Sequence, residues 1–456
     1  MRILQMNSHD CGGGAESVAL QLHREYLKAG HDAWLAVGNR RSNDDRVVTI
    51  PNDALRNPWA RFWNGVAQPY IQKAEREDRF PTAGRLLELA VGQPARFASR
   101  LMGREDFAFP GSHELLSLIP GRPDILHAHN LHGRYFDLRV LPELSGQIPT
   151  LLTLHDAWLL SGHCAHSFAC DRWLTGCGQC PDLTIPPEIW RDGTAHNFRV
   201  KQAIYKTSRL FITAPSQWLM DKAQRSMLAT AIMGSRVIPN GIDLAVFHRG
   251  DRRAARAAIG LPDDARVVLF CGTRPRHNAF KDFATLVTAM RRVAAGSPAA
   301  RYILVALGGA GPQEEFGNLE IRYVPFQRES PMVAKFYHAS NLYVHAAKAE
   351  AAAPLTVLEA LACGVPVVAS NICGMSERVT AGREALLVPP GDAEAMGGAI
   401  TQVLDDPALG VRLGDAGAAL AQQQFSHQRM ASAYLDWYAE ILERWHAGTA
   451  ARENRK

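Results

Sequence analysis

Residues 2–37 read RILQMNSHDCGGGAESVALQLHREYLKAGHDAWLAV, and this stretch decides the fold class. Its start, residues 2–7, is strand-like, and after a run of glycines apolar residues recur at helical spacing over Ala15–Ala29. Gly30 ends that pattern, and Ala33–Val37 is typical of a second short strand. A strand, a helix and a strand in this order predict the βαβ unit from which parallel sheets are built.

The same alternation recurs in the second half of the chain. Strands are predicted at Val267–Gly272, Ile303–Leu307, Leu342–His345, Val365–Ala369 and Leu386–Val388, and helices between them at residues 281–295, 331–339, 354–363 and 392–404. In the first half, the predicted strands Asp124–His129 and Thr150–His155 end in polar residues, where ligands of open α/β sheets bind. The pattern predicts an α/β protein with two doubly wound domains.

These elements suggest where the domains begin and end. We expect a first domain over residues 1–240, a second over 241–424, and a long helix in 425–456 that packs back on the first domain. Residues 53–115, where aromatic side chains stand among charges, are interpreted as a helical insertion in the first domain. The first domain also contains a cluster of cysteines at residues 164–180.

Composition excludes several classes of protein. The 456 residues are 47% hydrophobic and 21% charged, which excludes a disordered, collagen-like or coiled-coil chain. No apolar run is long enough to span a membrane, and the N-terminal run is too short for the core of a signal peptide. We therefore expect a cytoplasmic protein. The net charge of +5 fits scattered basic residues, a phosphate-bearing ligand or an anionic membrane surface equally well.

Four cysteines lie within a short stretch, at Cys164, Cys170, Cys177 and Cys180. A Cys-x2-Cys turn lets two thiolates reach one tetrahedral ion, and two more thiolates would complete a structural zinc site. Four free thiols and a redox role are the alternatives. A nucleic-acid knuckle is set aside because only Arg172 and Trp173 supply the basic and aromatic residues that such a surface needs.

A glycine-rich turn, Gly12-Gly13-Gly14, precedes the first helix. It is either a tight turn or a place where the backbone approaches an anionic ligand. A nicotinamide-binding unit needs an acidic residue after its second strand, but this strand is followed by Gly38-Asn39-Arg40-Arg41. The sequence therefore argues against NAD, although Arg40 leaves NADP open.

Two elements of the second half suit a phosphate. The loop after Val267–Gly272 carries Arg274, Arg276 and Lys281, and closely spaced cations repel one another unless an anion lies among them. A solvated basic loop is the alternative.

The second element is a helix start. Pro354 is predicted to be its first residue, which leaves the amides of Leu355, Thr356 and Val357 free. The carboxylate of Glu359 could accept hydrogen bonds from vicinal ribose hydroxyls.

An ordered set of motifs now resembles the retaining glycosyltransferases of family 4. The motifs are Gly13-Gly14-Ala15-Glu16, His127-Ala128-His129-Asn130, Leu154-His155-Asp156, Ala214-Pro215-Ser216, Val237–Asp243 with Phe247, Lys281-Asp282, Glu350–Ser370, Gly374–Glu377 and Leu387–Asp392. His155–Trp158, followed by Gly162-His163-Cys164 and the later cysteines, looks most like the colanic acid and exopolysaccharide branch. The resemblance implies the GT-B fold, in which two Rossmann-like doubly wound domains face a cleft.

The resemblance also implies roles for single residues. Glu359 would hold the nucleotide ribose, and Arg274 or Arg276 would bind the donor pyrophosphate together with Lys281 and the Leu355–Val357 amides. His155 would lie beside the donor sugar, Glu350 would contact the transferred sugar, and the Gly13-Gly14 loop would close over the donor phosphates or the acceptor.

This chain departs from the family pattern at one point. The family separates its two glutamates by seven residues, whereas eight separate Glu350 from Glu359, and Ala351 stands at the expected position.

The function implied is a retaining, metal-independent hexosyltransferase that uses a nucleoside-diphosphate sugar. No Asp-x-Asp motif occurs, so we expect cations and helix amides to stabilise the diphosphate in place of a catalytic metal. The expected acceptor is a glycan or a lipid-linked oligosaccharide of surface polysaccharide synthesis, reached by peripheral contact with the inner membrane. The alternatives are a sugar-nucleotide epimerase of the same fold and a non-catalytic sugar-nucleotide-binding subunit.

Overall fold

The computed structural model describes residues 1–76, 82–350 and 354–453. The chain forms two compact units. The first contains Met1–Ala214, Met220–Arg236 and the chain from Leu435 onward, and the second contains Pro215–Leu219 and Val237–Tyr434. None of the described helices combines the length and the apolar character that a membrane-spanning segment needs.

The first unit is built on a sheet of seven described strands. These are β1 (Arg2–His9), β2 (Asp32–Asn39), β3 (Val47–Thr49), β4 (Ile125–Ala128), β5 (Thr150–Thr153), β6 (Leu210–Ala214) and β7 (Ile232–Val237). Their order across the sheet is β3-β2-β1-β4-β5-β6-β7, and β1 pairs in parallel with both β2 and β4. This is a doubly wound order, in which the chain builds one side of the sheet and then the other.

Seven described helices accompany this sheet. They are α1 (Gly14–Lys28), α2 (Pro58–Arg76), α3 (Thr82–Leu86), α4 (Pro94–Leu101), α5 (Leu141–Gln147), α6 (Thr194–Thr207) and α7 (Gln217–Arg225). The first turn is tight, because Gly12 has a φ of +126° and Gly13 caps α1. Helices α2 to α4 lie in the stretch interpreted as an insertion, of which residues 77–81 are outside the described part of the chain.

The second unit repeats the architecture. Its described strands are β8 (Arg266–Cys271), β9 (Tyr302–Leu307), β10 (Glu314–Phe316), β11 (Leu319–Val324), β12 (Leu342–His345), β13 (Val367–Ser370) and β14 (Leu386–Val388). They are ordered β10-β11-β9-β8-β12-β13-β14, and every pair is parallel except the β10–β11 hairpin. The parallel order brings the carboxyl ends of β8, β9 and β12 to one edge of the sheet.

The described helices of the second unit cover both faces of its sheet. They are α8 (Arg252–Ile259), α9 (Phe283–Gly296), α10 (Ser330–Ala339), α11 (Leu355–Ala362), α12 (Ala393–Asp405), α13 (Pro407–Gln424) and α14 (His427–Glu453), whose later part belongs to the first unit. Two hydrophobic clusters result, and the central strands β9, β12 and β13 are fully buried along their length. Strands that are covered on both faces have continuously apolar sequences, and the sequences of these strands are of that kind.

The predicted fold class is confirmed, since both units are Rossmann-like and doubly wound. The sequence did not reveal the short strands β3 and β10, whose few residues carry no periodicity of their own. It also placed Pro354 inside α11, whereas the backbone of Pro354 is extended with ψ of 128° and caps the helix instead.

Candidate functional site

The loop that follows β8 contains the first arginine of the predicted donor site. Arg274 has a φ of 49°, in the left-handed region that side chains seldom adopt, and its amide donates to the carbonyl of Gly308 at 3.0 Å. Its guanidinium pairs with no carboxylate in the described ranges. A strained residue that carries an unpaired cation at the carboxyl end of a strand is a candidate for binding an anion.

Arg276, two residues further along, is already engaged. Its guanidinium forms an ion pair with Glu314 of β10 and donates to the hydroxyl of Tyr323 in β11 at 2.8 and 3.1 Å. It also lies over the Tyr323 ring, 4.8 Å from the ring centroid. Because Glu314 neutralises this charge, Arg276 is less available to a diphosphate than Arg274.

Lys281 ends the same loop and is held by a predicted sugar-contact residue. Its ammonium pairs with Glu350, and both side chains are largely buried. The Nε2 atom of His345, at the end of β12, lies 3.5 Å from Oε1 of the same glutamate. The register difference expected at Ala351 falls outside the described residues, as do the two alanines that follow it.

The N-terminus of α11 has two amides, those of Leu355 and Thr356, without an acceptor among the described residues. The amide of Val357 donates to the carbonyl of Pro354 at 3.1 Å, so it is not free as the sequence predicted. A helix start with unsatisfied N–H groups favours an anion such as a phosphate.

Glu359 lies on α11 and is bound by a tyrosine of α10. The hydroxyl of Tyr337 donates to Oε2 of Glu359 at 2.8 Å and lies 3.1 Å from the carbonyl oxygen of Thr356. Burial raises the pKa of Glu359 to about 7, and the hydrogen bond from Tyr337 only partly offsets that rise. A carboxylate that is poorly solvated and has one oxygen to spare is suited to accept hydrogen bonds from a ligand.

Cys271 is the last residue of β8, and its thiol is influenced by the charges of both Glu359 and Lys281. Burial raises its pKa, the charge of Glu359 adds to the rise and that of Lys281 opposes it. The charges of Glu359 and Lys281 therefore both lie near the carboxyl end of β8. The carboxyl edge of the second sheet thus carries a lysine, a carboxylate, and an arginine side chain and two amides that have no partner among the residues that the structure describes.

In the first unit, a carboxylate covers the predicted glycine loop. A Cβ atom on Gly13 would lie 2.3 Å from Oε2 of Glu16, and the other oxygen of Glu16 accepts a hydrogen bond from Ser8 at 3.0 Å. Gly14 is the first residue of α1. A carboxylate at this helix start repels phosphate and attracts hydroxyl groups, so the loop suits a sugar hydroxyl better than a diphosphate.

His155 follows β5 and contacts other polar residues. Its Nε2 atom lies 3.0 Å from Nδ1 of His129, which follows β4. Burial lowers the pKa of His155 to about 4, so the ring is neutral near neutral pH. The next residue, Asp156, accepts a hydrogen bond from Nε2 of His132 at 2.6 Å. Burial alone would lower the pKa of His132, but Asp156 raises it above the ordinary value.

The structure does not show the predicted zinc site among the residues it describes. Cys164, Cys170, Cys177 and Cys180 line one cavity of about 20 Å³, but no three His, Cys, Asp or Glu side chains within residues 1–76, 82–350 and 354–453 are arranged to hold a metal ion. Two of the thiols also contact groups outside the cluster. Cys177 accepts the amide of Gly162 at 3.2 Å, and Cys180 lies 3.3 Å from Nε2 of His163.

The predicted residues thus form two groups, one in each unit. Sequence reasoning missed the tyrosines Tyr323 and Tyr337 and the buried Gln5, which contact predicted site residues. Each is far from its partner along the chain, and no local motif marks it. The polar residues at the ends of β4 and β5 were the one signal that pointed to the His129–His155 pair.

Two family models match the chain. Residues 12–246 match the model described as Glycosyltransferase Family 4, and residues 265–406 match the model described as Glycosyl transferases group 1. Together they cover the second sheet and all strands of the first sheet except β1, together with the site residues described above that lie outside β1. The first of them alone spans more than half of the chain.

The chain is also similar in sequence to individual glycosyltransferases. The D-inositol 3-phosphate glycosyltransferase of Mycolicibacterium paratuberculosis is 29% identical over 343 residues, which cover 73% of this chain and 69% of that protein. The putative colanic acid biosynthesis glycosyl transferase WcaC of Escherichia coli is 28% identical over 256 residues, which cover 54% of this chain and 55% of that protein.

A solved structure supports the fold. The crystal structure of Anabaena HepE in complex with UDP-glucose covers 97% of this chain and 100% of its own, with a TM-score of 0.59 at 18% identity. That likeness concerns the fold alone. With the family models matched across both sheets, the chain belongs to glycosyltransferase family 4 and is a glycosyltransferase of the GT-B type.

Proposed function

We propose that this protein is a retaining hexosyltransferase that moves a sugar from a nucleoside-diphosphate sugar to a glycan or a lipid-linked acceptor. The observation that carries the proposal is the group at the carboxyl edge of the second sheet. There an unpaired Arg274 and the free amides of Leu355 and Thr356 can meet phosphate oxygens, while Glu359 can accept ribose hydroxyls. The group fits the donor better than it fits any uncharged ligand.

We assign the departing diphosphate to Arg274, Lys281 and the two amides. Negative charge grows on the diphosphate as the glycosidic bond breaks, and fixed cations stabilise that charge. Lys281 is largely buried and pairs with Glu350, and its ammonium has three N–H donors, so it can donate to a diphosphate oxygen while it keeps that contact. Because the chain has no Asp-x-Asp motif to hold a pyrophosphate-bound metal, these groups take that role, and transfer should persist in a chelator.

We assign the acceptor side to the first unit. Glu16, above Gly13 and Gly14, can accept hydrogen bonds from a sugar hydroxyl, and we assign His155 to the transferred sugar. In a retaining reaction the acceptor hydroxyl attacks the face from which the diphosphate leaves, and a phosphate oxygen takes its proton. This scheme needs no protein base, and a neutral His155 with a low pKa agrees with it.

We further propose that the acceptor is carried by lipid at the cytoplasmic face of a membrane. Helix α2 exposes three aromatic side chains, Trp59, Phe62 and Tyr70, each more than half exposed. Their spacing places them on one helical face, where such side chains suit the interface of a bilayer. Flotation with anionic vesicles should carry the parent protein, and a W59A/F62A variant should remain in solution.

The proposal is tested by incubating the protein with a radiolabelled nucleotide sugar and fractions of extracted polysaccharide and lipid. UDP-glucose is the first donor to try, since HepE has been crystallised with it. Label that moves to an acceptor supports the transferase. Label that stays on the nucleotide as a changed sugar identifies an epimerase, and binding without any turnover identifies a non-catalytic subunit.

A further inference from the structure

Three polar side chains of the first unit form a chain that ends at His155. The Nε2 atom of His155 lies 3.0 Å from Nδ1 of His129, and the two rings are stacked with an interplanar angle of 24°. The other ring nitrogen of His129, Nε2, lies 3.1 Å from the side-chain nitrogen of Gln5 in β1. Gln5 and His129 are both fully buried, so water cannot replace either contact.

The direction of these hydrogen bonds is fixed at the Gln5 end. The side-chain nitrogen of Gln5 also lies 3.2 Å from the carbonyl oxygen of Ala19 in α1. A carbonyl oxygen can only accept, so the amide of Gln5 must turn its NH2 group toward Ala19 and therefore toward His129. Gln5 thus donates, and Nε2 of His129 must be the acceptor without a proton.

The protonation of both histidines follows from this donor. Burial holds the pKa of His129 well below its ordinary value, so the ring is neutral and its one proton lies on Nδ1. That Nδ1–H donates to Nε2 of His155. Burial also lowers the pKa of His155 to about 4, so His155 is neutral and its own proton lies on Nδ1. This Nδ1 atom has no partner in the described part of the chain.

We propose that Gln5 and His129 are positioning residues that fix His155 as the tautomer protonated on Nδ1. His155 then offers a hydrogen-bond donor to a sugar or acceptor oxygen and cannot accept a proton at that atom. The inference rests on the proposed function, in which His155 lies beside the transferred sugar. It adds that Gln5 of β1, acting through His129, determines which nitrogen of His155 can donate a hydrogen bond.

The neighbouring His127 provides a matched control. It lies two residues before His129, is equally buried, and its ring centroid is 4.2 Å from that of His129. Its nitrogens meet hydroxyl groups, Thr153 at 2.7 Å and Tyr438 at 2.6 Å. Hydroxyl groups can donate or accept, so these two partners do not fix the tautomer of His127.

The test replaces His129 by a residue that can donate a hydrogen bond to His155 or by one that can only accept. In H129N the amide nitrogen can still donate to His155, whereas in H129D a carboxylate of the same size can only accept. Long-range nitrogen–proton NMR of histidine-labelled protein reports which nitrogen of His155 carries the proton. We expect Nδ1–H in the parent, in H129N and in the control H127N, and a proton on Nε2 in H129D.

Kinetics supply the second measurement. Transfer by H129D should fall about ten- to hundredfold in kcat, with little change in the affinity for nucleotide, and H129N should recover most of the loss. A parent His155 protonated on Nε2, or the same tautomer in H129N and H129D, overturns the inference. A reversed tautomer with unchanged kcat overturns the positioning role. If the parent protein transfers no sugar, the proposed function fails, while the NMR result still decides the tautomer.

Discussion

At the scale of single residues, Glu359 and its partner Tyr337 explain why a carboxylate is placed where phosphate is also expected. The charge of Glu359 is poorly solvated, as its raised pKa shows, and Tyr337 satisfies one oxygen only. Ribose hydroxyls would supply the missing hydrogen bonds without adding charge. In the proposed site, the pair would meet the ribose end of the nucleotide, and Arg274 and the helix amides would hold its diphosphate end.

Removing the carboxylate should weaken nucleotide binding. A hydrogen bond to a charged group is worth about 1.5–3 kcal/mol, so E359A should raise the Kd for a nucleoside diphosphate about ten- to hundredfold. Isothermal titration calorimetry measures this directly. E394A, which removes an exposed glutamate of α12 (side chain 91% exposed), serves as the control and should bind as the parent does. Equal affinities in E359A and the parent would mean that the ribose site lies elsewhere.

The raised pKa of Glu359 predicts how binding depends on pH. The folded-state pKa of about 7 lies above the ordinary 4.5, so this carboxyl is mostly protonated at about pH 6 and mostly ionised at about pH 8. Since the ionised form accepts both hydroxyls, affinity should rise by up to about tenfold between these values. E359Q should lose this dependence and keep only that of the nucleotide phosphate. Parallel pH profiles for the two proteins would contradict the assignment.

The same shift predicts the pH dependence of stability. A carboxyl whose pKa is raised on folding favours the folded state when it is protonated, so its contribution is complete below the unfolded pKa and is lost as pH rises through about 7. E359Q mimics the protonated form. It should therefore be more stable than the parent at about pH 8 and similar to it at about pH 4.5, in denaturant unfolding of the unliganded protein.

The two arginines of the basic loop make a second residue-scale prediction. R274A should lower turnover about ten- to hundredfold, because a charge-assisted contact to the diphosphate is lost. R276A is the matched control, since its guanidinium is already held by Glu314 and Tyr323, and its turnover should change by less than about threefold. Steady-state kinetics with saturating donor decide between them, and the opposite ranking would exchange their roles.

At the scale of elements, the sequence predicted regular helices and strands better than it predicted their ends. The strands Leu342–His345 and Leu386–Val388 agree with the structure residue for residue, because apolar runs between helices leave little freedom. Pro354 was misplaced by one position, since proline suits both a helix cap and a first turn. Contacts such as Tyr337 with Glu359 could not be predicted, because two helices bring them together and no spacing encodes them.

The C-terminal helix α14 supplies an element-scale prediction. The hydroxyl of Tyr438 lies 3.0 Å from that of Tyr26 and 2.6 Å from Nδ1 of His127, all three fully buried. Y438F keeps the ring and removes these hydrogen bonds, so it should cost about 1–3 kcal/mol of stability. The control Y70F alters an exposed tyrosine and should cost nothing measurable. Equal midpoints of denaturant unfolding for the two variants would show that α14 is not fixed by this contact.

At the scale of the whole molecule, the two units repeat one architecture with different chemistry at the strand ends. The second unit presents cations and free amides, and the first presents histidines and a carboxylate above a glycine turn. The doubly wound alternation could be predicted from the sequence, since it depends on local periodicity. The zinc site predicted from the spacing of the cysteines is not shown among the described residues, where Cys177 and Cys180 contact Gly162 and His163.

The central claim is that the protein transfers sugar from a nucleotide donor held by the second unit. The most direct measurement follows radiolabelled UDP-sugars incubated with a chelator and with acceptor fractions, using the parent protein and K281A. Lys281 would stabilise the negative charge that grows on the diphosphate as the glycosidic bond breaks. K281A should therefore bind donor nearly as the parent does, and its rate of transfer should fall by about tenfold or more. We expect release of nucleoside diphosphate matched by label in an acceptor, with the anomeric configuration retained. Donor left intact, a changed sugar still attached to the nucleotide, or equal transfer by K281A would contradict it.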